Sequence, residues 1–174
     1  MAMNRPLIHT LIIPLIFVLC SCGYHREGRG VNLDASIKTI AVPTFRNDTF
    51  EAGIEAAVTN ALRRRIMLHK NARLVSAENA SVIVVGVISK FNNKPISFSQ
   101  GDYAAEYRAS IQARIKLVTP KGEVLWNDSG ISEISDYRAT PDIFQSEINK
   151  KAAIETIAEK MARDIHDRIF DGFL

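Results

Sequence analysis

The sequence predicts an α+β fold: a four-stranded mixed sheet with two helices packed on one face, in the order β-α-β-β-β-α. Residues 106–117 alternate between polar and apolar side chains, which is typical of a strand with one buried face. Apolar residues recur at helical spacing in two segments, 50–62 and 144–169. A mature chain of about 150 residues is also long enough to bury a core without a metal or a disulfide.

The first strand and the first helix are predicted within residues 37–62. Residues 37–42 have a strand-like composition, and Pro43 ends them. Asp48 is expected to cap the helix that follows, with Glu51 three residues on as in a capping box. Because a helix joins the first strand to the second, these two strands are predicted to be parallel. The predicted buried stripe of the helix comprises Phe50, Ile54, Ala57, Ala61 and Leu62.

The other three strands and the second helix follow in the remainder of the chain. Residues 81–91 are apolar on both faces, which predicts a central strand covered above and below. A loop is predicted over residues 92–102, before the alternating strand. A tight turn at 119–122 then reverses the chain, and residues 124–137 return antiparallel. The last helix begins at residues 140–142, and its predicted buried stripe comprises Phe144, Ile148, Ile154, Ala158, Met161, Ile165 and Ile169.

The amino terminus is typical of a bacterial lipoprotein signal. Residues 7–19 are apolar except for two side chains and follow Arg5, but they are too short to span a bilayer, which needs about 20 residues. Cys22 follows the small residue Ser21 and lies three residues after Leu19, a pattern that resembles the lipobox. The alternative is an ordinary cleaved signal that leaves a free thiol. The predicted organisation is a signal peptide over 1–21, a lipidated amino terminus and tether over 22–36, and one domain over 37–174.

Lipid on Cys22 would anchor the chain to a membrane without a transmembrane helix. One fatty chain binds a membrane only marginally, whereas two or more anchor a protein stably. Gly23 follows the cysteine, where aspartate is the usual signal for retention in the inner membrane of enteric bacteria. Glycine at this position favours export to the outer membrane. The tether after it is rich in glycine and charge.

The composition argues against several other functions. Lys and Arg number 22 against 19 acids, and the predicted signal peptide removes only Arg5, so overall charge does not predict nucleic-acid binding. His25, His69 and His166 lack metal-ligand spacing and are predicted to be solvated surface residues. No glycine-rich phosphate loop and no nucleophile motif occurs. The sequence therefore predicts no enzyme, no cofactor and no metal site, with an envelope hydrolase as a third hypothesis behind two non-catalytic ones.

The whole arrangement resembles one protein family. Its parts are Cys22-Gly23-Tyr24, the strand over 37–42, the segment Pro43-Thr44-Phe45-Arg46-Asn47-Asp48-Thr49, an alanine-rich helix and the β-β-β-α remainder. Together they resemble the LptE family of lipopolysaccharide-assembly lipoproteins over residues 22–172. The sharpest local piece is residues 45–49. Similar strand-turn-cap segments occur in the TolB amino-terminal domain and in curli-secretion lipoproteins, so the evidence is the complete architecture.

The resemblance implies a non-enzymatic function in the envelope of a Gram-negative bacterium. LptE proteins lie inside the LptD β-barrel as a plug, on the periplasmic side of the outer membrane. They bind lipopolysaccharide during its insertion into the outer leaflet and assist assembly of the barrel. The expected partners are therefore an LptD-like barrel, lipopolysaccharide and the membrane. The alternative is a lipoprotein adaptor of another envelope machine, built on a similar α/β domain.

Basic residues on the alternating strand are the first candidates for lipopolysaccharide contacts. Arg108, Arg114 and Lys116 share its polar face, where their like charges repel unless an anion is near. Lipid A carries phosphates, and arginine pairs phosphate oxygens in a bidentate way. The alternative is a solvated face on which Glu106 or a neighbouring acid is the partner.

The predicted loop over residues 90–101 is the second candidate. It carries Ile96 and Phe98 beside Lys90 and Lys94. An apolar tip ringed by cations suits a lipid or a barrel wall. The alternative is that this segment folds back over the core.

Overall fold

The structure is a computed structural model that describes residues 37–70, 72–99 and 104–170. The predicted signal peptide, Cys22 and the tether lie outside these residues. The strands are β1 (Thr39–Ala41), β2 (Arg46–Asn47), β3 (Arg73–Leu74), β4 (Val82–Phe98), β5 (Ala104–Val118) and β6 (Val124–Arg138). The helices are α1 (Ile54–Met67), between β2 and β3, and α2 (Ile143–Phe170), after β6.

One mixed sheet contains all the strands of the described residues. Its order is β3-β1-β4-β5-β6, and β2 pairs with β4 beyond β1. The α+β class and the parallel pairing of β1 with β4 are confirmed, with Ile40 opposite Val82. The predicted number of four strands is wrong, because the described part of the chain contains a sheet of six. The additional strands β2 and β3 are two residues long, too short for a period in the sequence to reveal them.

Strand β4, which corresponds to the second predicted strand, is much longer than predicted. The segment predicted as a loop continues β4 to Phe98, and it pairs with β5 as far as Phe98 opposite Ala104. Asn92, Asn93 and Pro95 favour turns, which explains the wrong prediction. Register shifts near Ser89 and Ile96 accommodate them. The result is a long β4–β5 hairpin.

The core lies between the sheet and the two helices, which pack against each other. The apolar positions of β5 from Ala109 to Leu117 are fully buried, as the alternation predicts. The later part of the α2 stripe, from Ile154 to Ile169, is buried against them. Among the described residues neither helix combines the length and apolar character that crossing a bilayer requires.

The helices cover only one side of the central strand. Val84 and Ile88 are fully buried on the core side of β4. Val85, which points the other way, is 43% exposed, and no described element covers it. The prediction of a strand covered above and below is therefore wrong. A run of β-branched residues predicts a strand, but it does not show whether a second layer exists.

The start of α1 also differs from the prediction. The helix begins at Ile54, and Gly53 before it has the left-handed φ of 87°, which glycine adopts without strain. Asp48 does not cap the helix, because its carboxylate pairs with the Arg46 guanidinium at 2.9 and 3.1 Å. Phe50 is outside the helix and fully exposed, so its place in the buried stripe is wrong.

The start of α2 projects past the core. Asp142 caps the helix, since its Oδ1 accepts a hydrogen bond from the Phe144 backbone N–H at 2.9 Å. The first buried residue of α2 is Ala153, ten residues after the helix begins. Phe144 is 75% exposed and Ile148 46%, so their predicted burial is wrong. Helical periodicity places them on the core stripe, but none of the described core elements extends far enough to cover them.

Candidate functional site: the open face of the sheet

The side of β4 and β5 that points away from the helices forms one surface, the open face. Residues directly opposite each other on neighbouring strands project to the same side. Lys94 lies opposite Arg108, and Lys90 opposite Gln112. Arg114 lies opposite Val87, and Lys116 opposite Val85. The structure thus brings the five predicted basic residues, Lys90, Lys94, Arg108, Arg114 and Lys116, onto a single face.

Arg108 is engaged by an acid on the neighbouring strand. Its guanidinium donates to both carboxylate oxygens of Asp136 on β6, at 2.7 and 2.8 Å. This hydrogen bond lowers the pKa of Asp136 and raises that of Arg108. For Arg108 the structure thus favours the alternative of a neighbouring acid as partner, and that acid is Asp136, whereas Glu106 lies 4.0 Å from Arg138. Arg108 is therefore a cation whose position is fixed by its partner.

Arg114 belongs to a small charge cluster that the sequence did not reveal. Its guanidinium lies 3.5 Å from Asp48, the carboxylate that also binds Arg46. Arg46 lies opposite Val87, because β2 pairs with β4 at that point. Two arginines thus share one acid and leave a net positive charge. The only signal for Arg46 was its position in the Phe45–Thr49 segment, since a two-residue strand has no periodicity.

The three lysines of the open face are different. Lys90, Lys94 and Lys116 are exposed, and no acid of the described residues lies within 4.0 Å of their ammonium groups. Lys94 faces Arg108 directly across the hairpin, so two like charges are adjacent. Asp136 offsets this repulsion on the Arg108 side, whereas Lys94 has no acid partner among the described residues. The open face therefore carries uncompensated positive charge.

An apolar row runs along the same face. Ile83, Val85 and Val87 alternate with the buried residues of β4, and Val85 is the most exposed of the three. Each of the last two lies directly opposite a cation of β5, as described above. An exposed apolar surface beside positive charge matches an amphiphile with an anionic head group.

Ile96 and Phe98 lie in the distal part of β4, not in a loop. They are 41% and 63% exposed, so the alternative that they fold back over the core is wrong. Tyr107 and Tyr137 brace this end of the hairpin by stacking at 5.7 Å between ring centroids. The Asn93 amide donates to the Tyr137 hydroxyl at 2.7 Å, while burial raises the pKa of that phenol. The hairpin thus presents these apolar side chains on a supported strand pair.

His166 does not lie on the surface as predicted. The residue is 7% exposed, and its Nε2 lies 3.1 Å from Nδ1 of His69. The second ring nitrogen lies 2.9 Å from Asp167, and the His69 ring stacks on Phe170 at 4.3 Å. This cluster joins the carboxyl-terminal ends of the two helices. Within the described part of the chain, no group of three His, Cys, Asp or Glu residues is placed to hold a metal ion.

The comparison with family models decides the family. The model described as "LptE: Lipopolysaccharide-assembly" matches residues 37–169, well over half of the chain. The chain belongs to the LptE family. This is a family of non-enzymatic lipopolysaccharide-assembly lipoproteins, so the resemblance inferred from the sequence is confirmed. The search of curated proteins found no match.

Solved structures share the fold of this LptE protein at low sequence identity. Rare lipoprotein B from Shewanella oneidensis is 16% identical with a TM-score of 0.53, over 75% of this chain and 92% of that one. An uncharacterised lipoprotein B from Nitrosomonas europaea is 13% identical with a TM-score of 0.53, over 74% and 79%. A putative lipoprotein from Caulobacter crescentus is 10% identical with a TM-score of 0.51, over 72% and 88%.

Proposed function

We propose that this LptE protein is an outer-membrane lipoprotein that binds lipopolysaccharide on its open face and plugs an LptD-type β-barrel. The observation that carries the lipid-binding part is the concentration of cations beside the apolar row of β4. Three of these cations, Lys90, Lys94 and Lys116, have no acid partner among the described residues. Family membership supports the assembly function.

The chemistry of the open face fits a phosphorylated, acylated ligand. Lysine ammonium groups attract phosphates as point charges, and the Arg108 guanidinium is already oriented by Asp136. The row Ile83, Val85 and Val87 would contact acyl chains, because removing apolar surface from water lowers the free energy. A ligand with phosphate groups beside hydrocarbon would use both features at once.

The proposed anchor is a set of acyl chains on Cys22. Two or more such chains hold a protein stably on a membrane. They would place the domain on the periplasmic side of the outer membrane, within reach of a barrel partner. Mass analysis of protein from its native host tests this part directly, because an amino terminus without fatty acids at Cys22 would contradict it.

Charge reversal tests the open face. Replacing Lys90, Lys94 and Arg108 by Glu should weaken binding of purified lipopolysaccharide roughly tenfold or more, because attraction becomes repulsion. The remaining binding should also depend less on salt, since fewer ionic contacts are screened. Fluorescence titration at low and high salt measures both effects.

The matched control reverses Lys70, Lys121 and Arg163, which are exposed outside the candidate residues and give the same change in net charge. Binding by the control should stay within about twofold of wild type, because long-range fields are screened beyond about 10 Å. Lipid A stripped of its phosphates should bind wild type and the open-face variant equally weakly. Unchanged lipopolysaccharide binding by a folded open-face variant would reject this site.

A further inference from the structure

We propose that the open face binds its lipid in one orientation, with the acylated and phosphorylated end on one half of the face and the sugar on the other. This inference deepens the proposed function and rests on it, because it assigns the parts of one ligand to separate residues of the same site. The apolar half comprises Arg46, Ile83, Val85, Val87, Arg114 and Lys116. The polar half comprises Lys90, Asn92, Lys94, Arg108, Ser110 and Gln112.

The apolar half places exposed hydrocarbon directly beside cations. Lys116 lies opposite Val85, while Arg46 and Arg114 lie on either side of Val87. Val85 is 43% exposed, so its apolar surface is accessible to a ligand. The acylated end of a phosphorylated glycolipid also carries hydrocarbon and negative charge close together. The apolar half therefore suits that end of the ligand.

The two arginines of the apolar half are held in position before any ligand binds. Arg46 donates to both carboxylate oxygens of Asp48 at 2.9 and 3.1 Å, and Arg114 lies 3.5 Å from one of them. The backbone N–H of Asp48 donates to the Ile88 carbonyl at 2.9 Å, which fixes this acid against β4. Together with Lys116, three cations accompany one acid, so a net positive charge is left for a phosphate.

The polar half carries amide and hydroxyl side chains where the other half has its apolar row. The Asn92 amide donates to the Ser110 hydroxyl at 3.4 Å, and Gln112 lies opposite Lys90. Amide and hydroxyl groups both donate and accept hydrogen bonds, as the hydroxyls of a sugar do. The neighbouring strand β6 adds one exposed apolar side chain, Ile134, opposite Ser110. This half therefore suits a glycan better than it suits acyl chains.

The cations of the two halves are arranged to meet different anionic groups. Arg108 and Arg114 are six positions apart on β5, about 20 Å at the usual rise of a strand. Asp136 holds Arg108 toward β6, whereas Asp48 holds Arg114 toward β2 on the other side of the hairpin. A phosphate close to the acyl chains would thus contact Arg114, and an acidic group on the sugar would contact Arg108.

Two variants that each remove two cations test the orientation by fluorescence titration. Arg114→Gln with Lys116→Gln alters the apolar half, and Lys90→Gln with Lys94→Gln alters the polar half. The ligands are lipid A, which has acyl chains and phosphates but no core sugars, and complete lipopolysaccharide. The apolar-half variant should bind both ligands about fivefold or more weakly. The polar-half variant should bind lipid A within about twofold of wild type and lipopolysaccharide about fivefold or more weakly, because only the latter has core sugars.

Photo-crosslinking locates the two ends of the ligand directly. A photoreactive amino acid replaces either Val85 or Gln112 in the otherwise wild-type chain, and lipopolysaccharide is crosslinked to it. After mild acid has separated lipid A from the core sugars, mass analysis should find fatty acids on the Val85 adduct and core sugars on the Gln112 adduct. Each protein changes one side chain of the open face, so this measurement tests the orientation even if a double variant folds poorly.

The matched control, Lys70→Gln with Lys121→Gln, removes two exposed cations outside the open face and should bind both ligands within about twofold of wild type. Equal losses of lipid A binding in the two open-face variants would overturn the orientation, and so would fatty acids on both adducts. In either case binding by wild type would leave the proposed function standing. A wild-type chain that binds neither ligand would overturn the proposed function, and the inference with it.

Discussion

The open face differs in how the chain builds it from the helix-end groove, which is the cleft between residues 51–57 and the first turns of α2. The open face lies on a continuous hairpin, and its cations alternate with the buried residues of the same strands. The groove joins Glu51 and Phe144, which are far apart in sequence and meet only after α1 and α2 have packed. The open face is therefore predictable from a local sequence pattern, whereas the groove exists only in the folded chain.

The two surfaces also differ in how far their charges are paired. On the open face, the acids Asp48 and Asp136 neutralise only part of a larger positive set. In the groove, two acids enclose Lys150 and leave its charge fully matched. Long-range attraction of an anion suits the first arrangement, and contact with an apolar protein segment suits the second. The comparison teaches that one small domain can present two exposed surfaces of different charge.

The largest expected difference concerns what lies beneath each surface. Ile111 is fully buried under the open face, so Ile111→Ala should cost about 2–5 kcal/mol of unfolding free energy by the loss of packing. Phe144→Ala in the groove should change it by no more than about 0.5 kcal/mol. Urea denaturation measures both values. Equal losses would show that Phe144 is part of the core and would break the comparison.

An intermediate effect is expected at Gly86, on the core side of β4. A Cβ atom there would lie 2.4–2.5 Å from the Phe45 ring, which is only 3% exposed and has little freedom to move. Gly86→Ala should therefore cost about 1–3 kcal/mol by overpacking. Gly130→Ala in β6 is the matched control, because its nearest neighbour would lie at 3.9 Å. Equal unfolding midpoints for the two variants would contradict the close packing of Gly86 against the Phe45 ring.

The smallest effect concerns the ion pairs of the groove. The hydrogen bond that the Lys150 ammonium donates to the Glu147 carboxylate raises the pKa of Lys150, and the contacts with Glu51 raise it further. The stabilisation by Lys150 is thus fully present below the ordinary lysine pKa of about 10.4, and it is lost as the pH rises through the higher value of the folded state. Lys150→Met should cost about 0.5–1 kcal/mol at pH 7, and less in strongly alkaline solution.

Urea unfolding from pH 7 to pH 11 measures this trend, with Lys151→Met as the control, since that side chain is exposed. The stabilisation by the Arg108–Asp136 pair of the open face should instead change at low pH. The pKa of Asp136 is lowered by Arg108, so that pair stabilises the fold above the ordinary aspartate pKa of about 3.9 and fails as the pH falls through the lower folded value. A constant difference between wild type and Lys150→Met at all pH values would contradict the contribution of the ion pairs.

Prediction from the sequence succeeded where the signal was local. The alternation in β5 identified the buried face that contains Ile111 and Ile115, and the periodicity of α2 identified its buried stripe from Ile154 onward. Prediction failed for side chains near the starts of the two helices and for a very short strand. Phe50 and Phe144 have the spacing of core residues but lie beyond the elements that could cover them. Arg46 reaches the open face through a two-residue strand, whose pairing depends on a partner distant in sequence.

The sequence by itself determined the fold class, the alternation that separates cations from the core, and the family to which the chain belongs. These features depend on neighbouring residues, since helical and extended backbones impose fixed periods on side-chain direction. Only the tertiary structure decided that, within residues 37–70, 72–99 and 104–170, one side of β4 has no covering layer and the start of α2 projects past the core. Exposure depends on which distant elements pack together, and a residue's own neighbours in sequence contain no information about that packing.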